Sequence, residues 1–255
     1  MISEILRSRE LLYFLSWRDV KIRYKQTLLG AAWAVLQPLV TMLIFTLVLA
    51  GKFPTAGLPG PVFYYTALVP WIFFAGSITN AGNSLIANTD LITKVYFPRA
   101  LLPASTVLAG LVDLLIAASL MLVLLAIYGI VPDAEILVWP LAVAALVLLA
   151  LGGGMAVAAI NVVYRDVKYA LPFAVQSMLF LSSVFYPMSS LTGTLRTLNY
   201  LNPLSGIIET CRASVVPSVP IDWTHFGISV FLSACVFVAG AAYFRSVERR
   251  FADLV

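Results

Sequence analysis

Six stretches of this chain, residues 30–50, 63–86, 102–130, 136–160, 169–186 and 223–244, contain a single Asp, Glu, Lys or Arg between them, Asp113. Each is close to the ~20 apolar residues that a helix needs to cross a bilayer. Lipid offers no partner to backbone N–H and C=O groups, so an open chain crosses it only as a helix. The runs are continuously apolar and lack the alternation of a barrel strand. Composition agrees. Of 255 residues, 61% are hydrophobic and 11% are charged, and the mean hydropathy is +0.97. So few charges could not wet the surface of a soluble enzyme, and a disordered chain needs the opposite balance.

Lys and Arg are unevenly shared between the connections. Thirteen of the 16 lie before the first stretch, between the second and third, between the fourth and fifth, and after the sixth. The other three, Lys52, Arg196 and Arg212, lie on the opposite side. Basic residues accumulate in cytoplasmic loops, so both termini are expected in the cytoplasm. The net charge of +4 then reflects membrane topology, and no nucleic-acid partner is expected. Cys211, Cys235 and His225 do not make a metal set, and the two thiols read as small apolar fillers. The first residues, MISEILRSRE, mix acid and base without a short apolar core, so no cleavable signal peptide is expected.

The expected fold is all-α and integral to the membrane. It has six transmembrane helices, an N-terminal interfacial helix, a cytoplasmic coupling helix and two short re-entrant outer helices. One domain covers 1–255: a cytoplasmic interfacial segment at 1–29, five spans within 30–186, an outer re-entrant segment at 187–222, the sixth span at 223–244 and a tail at 245–255. Residues 3–16 place Ile5, Leu6, Leu12 and Tyr13 against Arg7, Arg9 and Glu10, a pattern that lies in the headgroup plane. The cations of 17–30 suit anionic headgroups. In 87–103, Asn88 or Thr89 can cap a short helix that Pro98 would end. Its Tyr96 and Phe97 suit either a protein interface or anchoring among headgroups. The outer connection is too apolar for a solvated loop. It reads either as two short helices broken at Asn202-Pro203 and dipping toward the membrane, or as a loop packed on the outer face.

Several spans carry polar and aromatic residues at helical spacing. Trp33, Gln37, Thr41 and Phe45 are four apart. Phe73, Ser77, Asn80 and Ser84 follow in the second span, with Tyr64 and Trp71 two turns apart. The fifth span holds Phe173, Ser177 and Phe180, and ends at Phe185 and Tyr186. Polar groups in a span face protein or water. Aromatic rings with polar handles suit a path for sugars, and hydrogen bonding between helices is the alternative. Asp113, the one charge inside a span, reads as an ion-pair or hydrogen-bond anchor reachable by Arg99 or water, or else as a proton relay. The glycines at 152–154 allow close helix approach or bending.

Three segments carry a resemblance. They are R-D-V-K-I-R-Y-K-Q-T-L-L-G-A-A-W-A-V-L-Q-P-L from Arg18, V-Y-F-P-R-A-L-L-P from Val95 and N-V-V-Y-R-D-V-K-Y-A-L-P from Asn161. Together they resemble the permease subunit of polysaccharide and polyol-phosphate exporters in the type-2 ABC transporter superfamily, with wording nearest to O-antigen permeases. The resemblance implies a homodimer in the bacterial inner membrane, paired with two copies of a cytoplasmic ATPase and moving a lipid-linked polysaccharide. ATP and Mg would be bound by that ATPase, with no cofactor in this chain, and the sequence has no G-x-x-x-x-G-K-[ST] phosphate loop. It further implies coupling to the ATPase through Asp90, Lys94, Tyr96, Phe97 and Arg99, with Arg18 and Asp19 beside them and Arg165 and Asp166 as a second contact within 161–168. The outer helices, near 190–199 and 204–215, would cover the exit. Trp33, Gln37, Thr41, Tyr64, Trp71, Phe73, Ser77, Asn80, Phe173, Phe180, Phe185 and Tyr186 would form the path.

Capsule and teichoic acid export fit the same motifs. A secondary transporter would show inverted repeats and more intramembrane charge, and the sequence shows neither. A membrane-embedded transferase would need clustered His or carboxylates at a membrane face, and this chain has one His and scattered acids.

Overall fold

The computed structural model describes residues 8–25, 30–95, 97–164 and 166–248. Ten α-helices follow in order among them: α1 Arg9–Tyr24, α2 Trp33–Val48, α3 Gly60–Ala87, α4 Thr89–Lys94, α5 Leu101–Ile127, α6 Val138–Val163, α7 Val167–Leu181, α8 Gly193–Tyr200, α9 Pro203–Ala213 and α10 Trp223–Glu248. Among the described residues there is no strand. Four helical stretches are long and apolar enough to cross a membrane: Gly60–Ala87, Leu101–Ile127, Ala134–Val163 and Trp223–Glu248. These match the second, third, fourth and sixth expected spans to within a few residues.

The first and fifth expected spans are shorter than the sequence suggests. Helix α2 has 16 residues and α7 has 15. At 1.5 Å per residue they cover roughly 22–24 Å, against a hydrocarbon core of ~30 Å. Gly30 and Gly51 bracket α2 with φ of +51° and +70°, left-handed conformations that glycine adopts without steric cost. Helix α7 ends at Leu181, whose carbonyl accepts from Asn202 Nδ2 at 3.0 Å, and just past it Arg212 Nη2 donates to Ser183 O at 2.9 Å. Apolarity continues to Tyr186, but the helix does not.

The N-terminal segment also differs. The interfacial segment expected at 3–16 and the cationic segment after it are joined in one helix from Arg9 to Tyr24. Ser16 does not interrupt it, since its hydroxyl donates back to Leu12 O at 2.8 Å. Residues 1–7 and 26–29 lie outside the described residues, as do 249–255 of the tail. The outer segment breaks at Asn202-Pro203 as expected. Asn202 caps α9 by accepting from Leu204 N at 3.1 Å, and Pro203 takes the first helical position.

Helix α3 is the centre of the bundle. Of its apolar stretch 78% is buried, against 28–39% for the other three long helices, and its hydropathy is the lowest of the four. The two facts have one cause: a helix wrapped by protein needs no lipid-soluble surface and can carry hydroxyls and amides. Helices α2, α5, α6 and α9 pack around it. Val62, Phe63, Tyr64, Tyr65 and Leu68 are buried in its N-terminal half. Tyr65 donates its hydroxyl to Ala117 O of α5 at 3.1 Å, and Asn161 Nδ2 of α6 donates to Gly82 O at 2.9 Å.

Helices α6 and α10 make the most extensive helix pair. Their backbones touch at two glycines. A Cβ on Gly152 would come within 2.4 Å of Phe237 Cα, and one on Gly240 within 2.1 Å of Gly152 O. Of the two expected uses of the 152–154 glycines, the structure uses close approach. Gly240→Leu must push the helices apart and should lower stability by about 1–3 kcal/mol or more, measured as the unfolding midpoint in detergent. Gly227→Ala adds its methyl to open space and should leave that midpoint unchanged.

Candidate functional site

Helix α1 is bound to the bundle by polar contacts along its length. Asp19 accepts from Arg18 Nη2 at 2.9 Å and from Ser105 Oγ of α5 at 2.9 Å. Arg18 Nη2 also donates to Asn88 Oδ1 at 3.0 Å, at the corner where α3 turns into α4. At its far end Arg23 and Tyr24 both donate to the carboxylate of Asp113. Burial pushes the Tyr24 phenol up from its usual range, against the pull of Arg23, so it stays protonated and able to donate. Asp113 is thus an ion-pair anchor, and its partner is Arg23. Arg99, the partner considered from sequence, turns instead to the end of α10, with its Nη1 donating to Glu248 O at 2.7 Å. That contact puts the end of α10 beside the start of α5.

Beside this anchor a cavity of about 460 Å³ opens between α2, α3, α5 and α7. Six of the expected path residues line it: Trp33 and Gln37 from α2, and Trp71, Phe73, Ser77 and Asn80 from α3. Ser77 Oγ is buried and has no hydrogen-bond partner among the described residues, leaving its hydroxyl available to a ligand. Gly110 of α5 lets the helices approach here, since a Cβ on it would stand 3.3 Å from both Phe73 and Ser77.

The other path residues lie elsewhere. Thr41 donates its hydroxyl to Gln37 O at 2.8 Å and does not reach the cavity. Phe173 of α7 is 77% exposed. The α7 residues that line the cavity are Val175 and Gln176, and the stripe expected at Phe173, Ser177 and Phe180 does not line it. Tyr64, Phe180 and Phe185 join a second aromatic group toward the far end. Phe185 lies 4.9 Å from Phe45 and 5.2 Å from Phe180, and Tyr64 meets Phe45 edge-on at 5.9 Å. Tyr186 donates to Phe180 O at 3.1 Å. The cavity also holds Arg23, Tyr24, Thr106 and Asp113, which the sequence reading did not assign to it. Only Asp113 had a visible signal there, its charge within a span.

The expected coupling residues divide into two kinds. Asp90 and Lys94 pair with each other at 3.3 Å and are strongly exposed on α4. Val95 is half-exposed beside them, and Asp166 is exposed at the start of α7. Phe97, expected on the surface, is half-buried, with part of its ring packed on the small core of Leu15, Leu85, Ile92 and Leu101. Arg18 and Asp19 face the bundle, as described above. Asn161, at the head of the 161–168 contact, is buried and hydrogen-bonded to α3. Tyr96 and Arg165 lie outside the described residues.

A family model described as ABC-2 type transporter matches residues 10–216. The chain belongs to the ABC-2 membrane transporter family. It is therefore a transporter permease subunit and not itself an enzyme. It is 30% identical to the O-antigen export system permease protein RfbA of Myxococcus xanthus, covering 100% of this chain and 99% of that one. RfbA of Klebsiella pneumoniae is 28% identical, with 96% and 95% covered. The polysialic acid transport protein KpsM of Escherichia coli is 22% identical, with 91% of each covered.

In this permease the Arg23–Asp113 contact should behave as a coupled pair. Arg23→Ala and Asp113→Ala should each lower the unfolding midpoint. The double variant should lose less than the sum, by a coupling of about 0.5–3 kcal/mol.

Proposed function

We propose that the chain is the channel-forming subunit of an ABC transporter that exports a lipid-linked polysaccharide, O-antigen, across the bacterial inner membrane. It works as a homodimer with two copies of a separate ATPase, which binds ATP and Mg. One observation carries the reading: the cavity where Trp33, Gln37, Trp71, Phe73, Ser77 and Asn80 converge. Its rings present apolar faces to sugar C–H groups, and its amides and hydroxyls exchange hydrogen bonds with sugar hydroxyls. Weak repeated contacts of this kind suit transit, by the logic of ion conduction. Similarity over the full length to permeases named for O-antigen export favours that glycan over polysialic acid, whose permease is the more distant relative.

In this reading α2 and α7 complete six crossings, the end with α1 and α4 is cytoplasmic, and both termini lie there. The distribution of 13 basic residues against three supports it. The ATPase grips the exposed α4 with Val95 and the exposed start of α7. A push on α4 reaches α1 through Asn88 and Arg18, and α1 reaches the cavity mouth through Arg23 and Asp113. Closure of the ATPase thereby opens the path at the dimer interface.

Gln37→Leu with Asn80→Leu should cut surface polysaccharide severalfold while the ATPase still co-purifies and hydrolyses ATP. Unchanged surface polysaccharide would remove the cavity from the path. Val95→Asp should reduce ATPase co-purification and leave the permease's unfolding midpoint intact. Phe97→Ala should in addition lower the midpoint, by up to about 3 kcal/mol of stability, since its half-buried ring packs on the small core.

A further inference from the structure

A second cavity, of about 260 Å³, lies at the opposite end of the bundle, between α8, α9 and the first turn of α10. Its wall carries Arg196, Tyr200, Glu209, Arg212, Asp222 and His225. We propose that this outer cavity binds a single neutral, hydroxyl-rich sugar ring, a unit of the outgoing polymer. The proposal deepens the export reading and rests on it for the identity of the polymer.

The charge of the wall balances, with two guanidiniums against two carboxylates. A cavity for a phosphate would carry net positive charge, and one for a cation net negative charge. Balanced donors and acceptors suit a neutral polyol, which needs both at once. The volume lies below the ~300 Å³ at the lower end of sites for drug-sized ligands, enough for one ring and not for an extended oligosaccharide.

Arg212 shows that the site is built. Its side chain is fully buried, which is costly for a charge unless it is well partnered. Glu209 Oε2 accepts from Nη1 at 3.0 Å, Ser183 O accepts from Nη2 at 2.9 Å, and the guanidinium lies 4.0 Å over the Phe63 ring. Its Nε still has no partner among the described residues, and nor does Nε2 of the buried His225. Two unpartnered polar atoms from different helices therefore stand at one cavity. Glu209 is fixed by its other oxygen, which accepts from Met188 N at 2.7 Å.

The opposite wall presents a charged acceptor. Burial opposes ionisation of Asp222, but hydrogen bonds from the Tyr200 hydroxyl and from His225 N outweigh it and hold its carboxyl below the usual range. The hydrogen bond to Asp222, reinforced by burial, pushes the Tyr200 phenol up and keeps it protonated. Packing contacts also link its wall to the far aromatic group: Arg212 rests on Phe63, Phe63 meets Tyr64 edge-on at 5.3 Å, and Tyr64 meets Phe45.

The test is saturation-transfer NMR on the permease–ATPase complex in nanodiscs. The probes are free glucose, mannose, galactose, rhamnose and N-acetylglucosamine, one at a time. At least one should show saturated ring protons. That signal should fall at least fivefold in Arg196→Ala and in Asp222→Asn, and persist in Leu195→Ala, on the same helix α8 but outside the cavity. Silence from all five sugars, or a signal that survives both cavity substitutions, would overturn the proposal. Surface polysaccharide, measured in parallel, separates the two readings. Normal export with no cavity signal overturns the sugar site alone. A cavity-dependent signal from a complex that exports no polysaccharide overturns the export reading and upholds the site.

Discussion

A polar side chain within hydrocarbon has to be met by protein or by water, and that requirement organises this molecule around α3. Thr66, Ser77, Asn80, Asn83 and Ser84 would be costly on a helix facing lipid. They are tolerated because α2, α5, α6 and α9 surround it. Some satisfy themselves on their own helix, as when Thr66 donates to Val62 O at 2.8 Å. Others join neighbours, as when Asn161 reaches Gly82 and Asn83. Ser77 has no partner among the described residues, and it lines the cavity together with the exposed Asn80. The candidate site is thus on the central helix, where a buried hydroxyl is left unanswered.

The same principle governs two charges. Midway along α5 the intramembrane charge of Asp113 is answered by Arg23 and Tyr24, which hold α1 against α5 and line the cavity. The buried guanidinium of Arg212 is answered by Glu209, Ser183 O and the Phe63 ring. That set ties α9 to the end of α7 and to α3, so the outer helices are packed into the bundle and do not hang as a free loop.

Much of this was legible in the sequence because long apolar runs report burial in lipid directly. Four spans, the short helix after Asn88 and the break at Asn202-Pro203 all follow from local composition and backbone chemistry. The α3 stripe of Phe73, Ser77 and Asn80 was legible too, since helical spacing puts these residues on one face. That Val175 and Gln176, and not Phe173, are the α7 residues at the cavity was not legible, because which face of a helix turns inward depends on neighbours far along the chain. The partial burial of Phe97 was not legible either, since Leu15 and Leu101 reach its neighbourhood from other helices.

By itself, then, the sequence determined that the chain lives in a membrane, how many apolar segments it has, and which side of each carries polar groups. Hydrophobicity and helical period are local properties, and local residues set them. The tertiary structure alone decided where the fifth apolar segment stops being helix, that Arg23 and not Arg99 meets Asp113, and that Arg212 is entombed against Phe63. Each of these depends on a partner brought from a distant part of the chain. A charge inside a bundle is placed by whatever group can neutralise it there, and sequence spacing does not reveal which group that is.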